Sequence, residues 1–373
     1  MINFYAPINN LGYGVHSYNL MRAIEEEGVD VCLFPIHGNI NQPDAYTSKW
    51  ASNQSKYTVN DTSIMIFHET EMNRFCGKTR IGFPVFETGV RDVDLPLLSS
   101  LDYIFQPSTY GKAYLEKKGF NNVHVVPEGY NPKIFNMNAF SFTEKENMLD
   151  KYGLIFSHIG KLEERKSSLD ILTTFTQALE GEKIKCRLVA HMYNIFIPNW
   201  LDVVEKSLMD LGYNLTYKDQ YNLKYSKSNL TVLVPKMGLK NIADFYMQSH
   251  FGIYASKAEG FGLPLIESLA CGLPCVTTNW SGQSDYLSNY PKELLISRGV
   301  EEVANDKVWF HGDKGTWIKP DLSSLKEILI NIVKEPIKYL NLYKQCNECV
   351  KDFTWKNSAI KAIAVMEELN ILT

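Results

Sequence analysis

Short apolar runs recur along the chain, bounded by Gly, Pro, Asn and Asp, and they alternate with segments of helical spacing. In the first third, 2–7 (INFYAP), 29–36 (VDVCLFPI), 63–68 (SIMIFH), 81–86 (IGFPVF) and 102–107 (DYIFQP) read as strands, and another opens the stretch 123–135. Helical spacing through Val15, Tyr18, Leu20, Met21 and Ile24 marks 14–27, which Gly28 stops. Ser108 can cap a helix that reaches Lys118. A polar, irregular stretch at 136–150 (NMNAFSFTEKENMLD) predicts a linker.

A second alternation follows. Strands are expected at 154–160, 185–191, 230–235, 251–256 and 275–278, and helices at 167–179, 200–211 and 242–247. The chain closes on helical patterns at 322–333, 337–351 and 356–369. Strands alternating with helices imply parallel sheets covered on both faces. Two such doubly wound domains would hold a ligand in the cleft between them, at the carboxyl ends of the strands.

Composition narrows the class. The chain has 373 residues, 45% hydrophobic and 21% charged, enough for two globular cores and unlike a disordered chain. A net charge of -4 gives no electrostatic footprint for nucleic acid. No apolar stretch approaches the roughly 20 residues that span a bilayer. The first residues, MINFYAPINN, lack the basic region and long apolar run of a signal peptide. The expectation is a cytoplasmic protein. Seven cysteines at scattered spacing do not form a disulfide framework, and Cys346-x-x-Cys349 has no second ligand pair for zinc.

The chemistry concentrates in 259–287 (EGFGLPLIESLACGLPCVTTNWSGQSDYL). Glu259 and Glu267 are separated by seven residues. The segment reads as strand, glycine loop, helix with Pro264 in its first turn, a Gly272-Leu273-Pro274 stop, and strand. A helix start offers N–H groups and a partial positive charge, which suit a phosphate. Gly260 and Gly262 would let backbone approach a ligand closely. Glu259 could accept bonds from ligand hydroxyls, and Glu267, about one turn into the helix, from a diol such as a ribose. The plainer alternative is a dipole-favoured glutamate in a first turn, ahead of an ordinary glycine cap.

Taken whole, the segment resembles the Glu-x7-Glu signature of retaining GT-B glycosyltransferases, especially glycosyltransferase family 4 (glycosyl transferases group 1). The likeness extends through the strand to Ser281-Gly282. It implies an α/β GT-B fold, with two Rossmann-like domains facing across a cleft. Residues 1–140 would form the acceptor-side domain and 151–354 the donor-binding domain. A C-terminal helix, 355–373, would cross back onto the first domain after Phe353-Thr354-Trp355.

The resemblance implies a hexosyl- or pentosyltransferase. It would move sugar with retention from a nucleotide-diphosphate sugar, such as a UDP-sugar or GDP-sugar, without a metal or other cofactor. Its acceptor would be a glycan, a lipid-linked molecule or another hydroxyl compound, with peripheral membrane contact as a further partnership. Nucleic acid is not an expected partner. Gly260, Phe261, Gly262, Leu263 and Glu267 would bind donor.

Asn10-Leu-Gly-Tyr-Gly-Val-His-Ser17 puts Gly12 and Gly14 after the first strand. Read alone, it is a strand–helix turn. It lacks the third glycine and the acidic residue after the second strand that a dinucleotide site requires. It resembles the family's glycine-rich loop facing the donor phosphate. Gly160-Lys-Leu-Glu-Glu-Arg-Lys166 supplies Lys161 and Lys166, two cations that could neutralise a diphosphate. Lys161 stands where Arg is commoner and Ser167 where Gly is commoner.

Many family members carry a histidine beside the sugar. Counting strands puts Glu87, in IGFPVFETG, at that place, with His68 ending the preceding strand. Glu87 is the favoured candidate, and Glu87, His68 and Glu259 form the catalytic set. Asp92-Val-Asp94 could bind metal in an unrelated setting but reads here as a solvated turn. Rival readings are a GT-B nucleotide-sugar epimerase, which needs no acceptor, and a non-catalytic nucleotide-sugar-binding protein. Modified DNA as acceptor is a further variant, against which the acidic balance counts.

Overall fold

The computed structural model describes residues 1–36, 40, 43–236, 241–306 and 308–372. The first sheet contains β1 (Ile2–Ala6), β2 (Val31–Pro35), β3 (Thr62–Met65), β4 (Thr79–Gly82), β5 (Tyr103–Gln106) and β6 (Val123–Val125). Every pairing in it is parallel, in the order β2-β1-β3-β4-β5-β6.

The second sheet contains β7 (Leu154–Ile159), β8 (Cys186–His191), β9 (Asn214–Lys218), β10 (Asn222–Lys227), β11 (Leu230–Pro235), β12 (Phe251–Tyr254), β13 (Cys275–Thr278) and β14 (Leu295–Ile296). Its order is β14-β13-β12-β7-β8-β11-β10-β9, parallel except for the antiparallel β11-β10-β9 edge. A separate hairpin pairs β15 (Arg298–Asn305) with β16 (His311–Pro320).

The strand order reverses beside β1 in one sheet and beside β7 in the other. Connections leaving neighbouring strands there diverge and open a crevice at the carboxyl ends. Gly12 and Gly14 follow β1, and Lys161 and Lys166 follow β7. Glu259 follows β12, the neighbour of β7 across its reversal.

Each sheet has its own core. Phe4, Met21, Ile24, Trp50 and Phe83 pack in the first, and the helix Trp355–Glu368 completes it with Trp355, Ala359, Ala362, Val365 and Met366. Phe156, Phe175, Leu188, Val232, Phe251 and Ile266 lie in the second. The two chain crossings between the sheets are bonded to each other. Tyr130 N–H donates to Phe353 O (3.0 Å), and Trp355 N–H donates to Tyr130 O (3.2 Å).

Four expectations need correction. The stretch 136–150 is not all linker: a helix runs Phe142–Tyr152, with Ser141 Oγ accepting from Glu144 N–H at its start. Ser141 and Glu144 have the spacing of a capping box, so the start was readable despite the polar composition. The strand read as 81–86 ends at Gly82, because Pro84 has no N–H for a ladder. The pattern at 337–351 divides into helices Pro336–Leu340 and Tyr343–Glu348. The strands β9, β10, β14, β15 and β16 were missed; β14 has only two residues, β9 is exposed throughout and β15 nearly so, without the apolar runs that mark buried strands.

Candidate functional site

The site is a cluster of ion pairs spanning both domains. Glu259 follows β12 and is only 7% exposed. Its carboxylate accepts from Lys166 Nζ (2.5 Å), Arg165 Nη1 (2.9 Å) and Ser256 Oγ (2.6 Å). Its own N–H donates to Ser281 Oγ (2.8 Å). Burial alone would raise its pKa, but Lys166 and Arg165 outweigh that and hold it at about 2.

Arg165 is buried. Nη1 also donates to Ala258 O (2.8 Å), and Nη2 lies 3.2 Å from Glu163 Oε2 and 3.1 Å from Glu87 Oε1. Its pKa rises because the charges of Glu87, Glu259 and Glu163 outweigh burial, which would lower it. Glu87 comes from the loop after β4, so this guanidinium bridges the domains.

Lys166 thus lies in the cluster, whereas Lys161 turns away from Glu259. Its Nζ is 3.9 Å from Glu163 Oε1 and 5.2 Å from the Phe196 ring centroid. Burial lowers its pKa. His68 stands at the rim, one side covered by Tyr13 and Phe67 with ring centroids 4.8 and 4.7 Å away. Loss of water there lowers its pKa, and Glu69 and Glu87 oppose the shift. Glu87 therefore joins the ion-pair cluster, and His68 flanks it.

The helix Leu263–Ala270 begins without a side-chain cap. Its start is set by Gly262, whose φ of +101° suits glycine, and a Cβ there would meet Tyr286 Oη at 2.8 Å. A Cβ on Gly260 would come within 2.5 Å of Val85 Cγ1 in the first domain, so this glycine permits the domains to meet. Phe261 is buried against Tyr286 and Phe353. Leu263 packs against both cores.

Glu267 lies deeper. Tyr246 Oη donates to its Oε2 at 3.4 Å. Burial, with a smaller contribution from Glu128, pushes its pKa up to about 8 against the lowering by Tyr246. Gly12 and Gly14 open the helix Gly12–Glu26. Tyr13, between them, donates from Oη to Val85 O (2.8 Å), tying that loop to the strand end before Glu87.

Three features escaped sequence reasoning. Arg165 adjoins Lys166, and its signal was the second cation in Glu164-Arg165-Lys166. His16 Nδ1 lies 3.0 Å from Glu128 Oε1, both buried, and nothing in their sequence spacing pairs them. The β15–β16 hairpin reaches the first domain: Thr88 Oγ1 donates to Lys314 O (2.8 Å), and Lys314 Nζ pairs with Glu69 Oε1 (3.3 Å).

In Asp92-Val-Asp94, Asp92 pairs with Lys118 and Asp94 with Arg91. Among the described residues, no group of three or more His, Cys, Asp or Glu is arranged to hold a metal ion. No described helix is long and apolar enough to cross a membrane.

Comparison with known proteins gives these features a context. Residues 142–308 match the family model described as glycosyl transferases group 1. An uncharacterized glycosyltransferase of Methanocaldococcus jannaschii is 22% identical over 185 residues, 47% of this chain and 46% of the relative. The chain spans less than half the length of the curated relatives it matches.

Among solved structures, sucrose-phosphate synthase from Thermosynechococcus elongatus aligns with a TM-score of 0.72 at 15% identity, covering 100% of this chain and 99% of that one. Anabaena HepE in complex with UDP-glucose aligns with a TM-score of 0.66 at 12% identity, covering 98% and 99%. The fold is GT-B: two Rossmann-like domains facing across a cleft.

Proposed function

We propose, starting from a GT-B chain whose second domain matches the group 1 model, that the protein is a glycosyltransferase. It moves a sugar from a nucleotide-diphosphate donor to an acceptor hydroxyl, with retention and without a metal. The observation that carries this reading is the uncapped start of the helix Leu263–Ala270, set among Glu259, Lys166 and Arg165 at the reversal of the second sheet. That combination suits a ligand with an anionic centre and hydroxyl-bearing arms. HepE, a structural neighbour, is described in complex with UDP-glucose.

On this reading the diphosphate lies against the helix start and takes Lys166 and Lys161 as counter-ions. Those charges stabilise the leaving group as the glycosidic bond breaks. Glu267 accepts from the ribose diol. Glu259 holds sugar hydroxyls, and Glu87, across the cleft, stabilises the positive charge developing at the anomeric carbon. Arg165 already engages one Glu87 oxygen, which disfavours Glu87 as a strong base. The acceptor's proton goes instead to the departing phosphate oxygen, on the face from which the acceptor attacks.

Seven free cysteines support a cytoplasmic setting as part of this reading. A panel of nucleotide sugars, assayed for nucleoside diphosphate release with and without sugar or lipid-linked acceptors, tests it. Acceptor-stimulated release with retained anomeric configuration by NMR is expected. Conversion of the donor sugar without any acceptor would favour an epimerase, and binding without turnover would overturn the enzyme assignment.

A further inference from the structure

The start of the helix Leu263–Ala270 faces the protein's own charges. The space lined by Lys166, Ser256, Glu259, Gly262 and Gln283 has a volume of only about 10 Å³. Lys166 Nζ sits 2.5 Å from Glu259 Oε1. An anionic group entering at the helix start competes with Glu259 for Lys166. Glu259 is buried, and a buried carboxylate that loses its counter-ion either takes up a proton or destabilises the site.

Arg165 is built to prevent this. It grips the other oxygen, Oε2, at 2.9 Å, and is anchored by Ala258 O and Glu163. Those bonds do not depend on Lys166. The same guanidinium reaches Glu87 at 3.1 Å from the opposite domain. A lysine could replace the charge but not the fork that binds carboxylates from two directions.

Resting on the donor reading above, we infer that Arg165 is a positioning residue: it keeps Glu259 ionised and Glu87 tethered across the cleft while Lys166 passes from Glu259 to the diphosphate. Other groups facing Glu259 do not substitute for it. Ser256 and Ser281 are neutral donors. Buried His158 has its pKa lowered to about 4 by loss of water, so it is neutral, and Tyr286 stays protonated.

Calorimetric titration with UDP and GDP between pH 5 and 8, repeated in buffers of different ionisation enthalpy, reads both affinity and proton uptake. Wild-type protein should bind one of them with little proton uptake through Glu259. Lys166→Met should weaken that binding about tenfold or more at every pH. Arg165→Gln should lose less affinity at pH 8 than Lys166→Met, because Lys166 is the counter-ion that passes to the diphosphate, but should take up a proton on binding at pH 5–6. Arg165→Lys should suppress that uptake while slowing donor turnover as Glu87→Gln does, with no further loss in the double variant.

Arg165→Gln binding without proton uptake would overturn the inference while leaving the donor reading intact. So would an affinity loss as large as that of Lys166→Met at pH 8, which would make Arg165 a phosphate ligand. Should Arg165→Gln fail to fold, an additive rate loss in Arg165→Lys/Glu87→Gln overturns the inference. Absence of any UDP or GDP binding by the wild type overturns the donor reading, and this inference with it.

Discussion

Glu267→Gln should stabilise the ligand-free protein in alkaline solution. Burial is the main reason this carboxyl is pushed from 4.5 to about 8, with a smaller push from the charge of Glu128. In the unfolded chain the group loses its proton near 4.5, whereas in the folded chain it keeps it to about 8. Between those values the native state binds more protons than the unfolded state. Stability therefore falls as pH rises through the window, and the full penalty applies above pH 8. At about 1.4 kcal/mol per pH unit, the penalty is roughly 3–5 kcal/mol.

Glutamine keeps a neutral group of nearly the same shape and escapes that penalty. Chemical unfolding of both proteins at pH 5 and pH 9 measures the effect. Stabilities should nearly coincide at pH 5, and the variant should be the more stable at pH 9 by a few kcal/mol. Parallel stability curves for wild type and Glu267→Gln from pH 5 to 9 would refute the reasoning.

Other perturbations test other joints. Asp285, in the second domain, accepts from Thr109 N–H (2.7 Å) and Oγ (2.5 Å), so Asp285→Ala should cost about 1–3 kcal/mol of stability without altering the circular dichroism spectrum; an unchanged unfolding midpoint would count against the interdomain bond. Trp355→Ala should cost about 3–5 kcal/mol by opening a cavity where the C-terminal helix meets the first core, and calorimetry should show it as a lowered melting temperature. Turnover should survive both a chelator and a reductant. Loss in chelator, restored by a divalent ion, would show that the diphosphate needs a metal.

The sequence was most legible where one physical signal dominates. The buried parallel strand β12 is a continuous apolar run, β7 opens on one, and the glycines and Pro264 mark the loop and helix between Glu259 and Glu267. It was least legible where contacts join distant residues. The bond between Arg165 and Glu87 spans the two domains, so no local spacing announces it. The β15–β16 hairpin is mostly exposed and polar, and its strand character comes from pairing rather than from an apolar face. Lys161 and Lys166 looked equivalent as two cations in one loop. Packing separates them, one against Phe196 and the other against Glu259.

The most direct test of the donor site is a crystal structure of the protein with a nucleotide sugar it turns over. The account predicts diphosphate oxygens at the start of the helix Leu263–Ala270, within hydrogen-bond reach of Lys166 or Lys161, with the ribose on Glu267 and the sugar between Glu259 and Glu87. A diphosphate farther than a water-bridged distance from both lysines would contradict it.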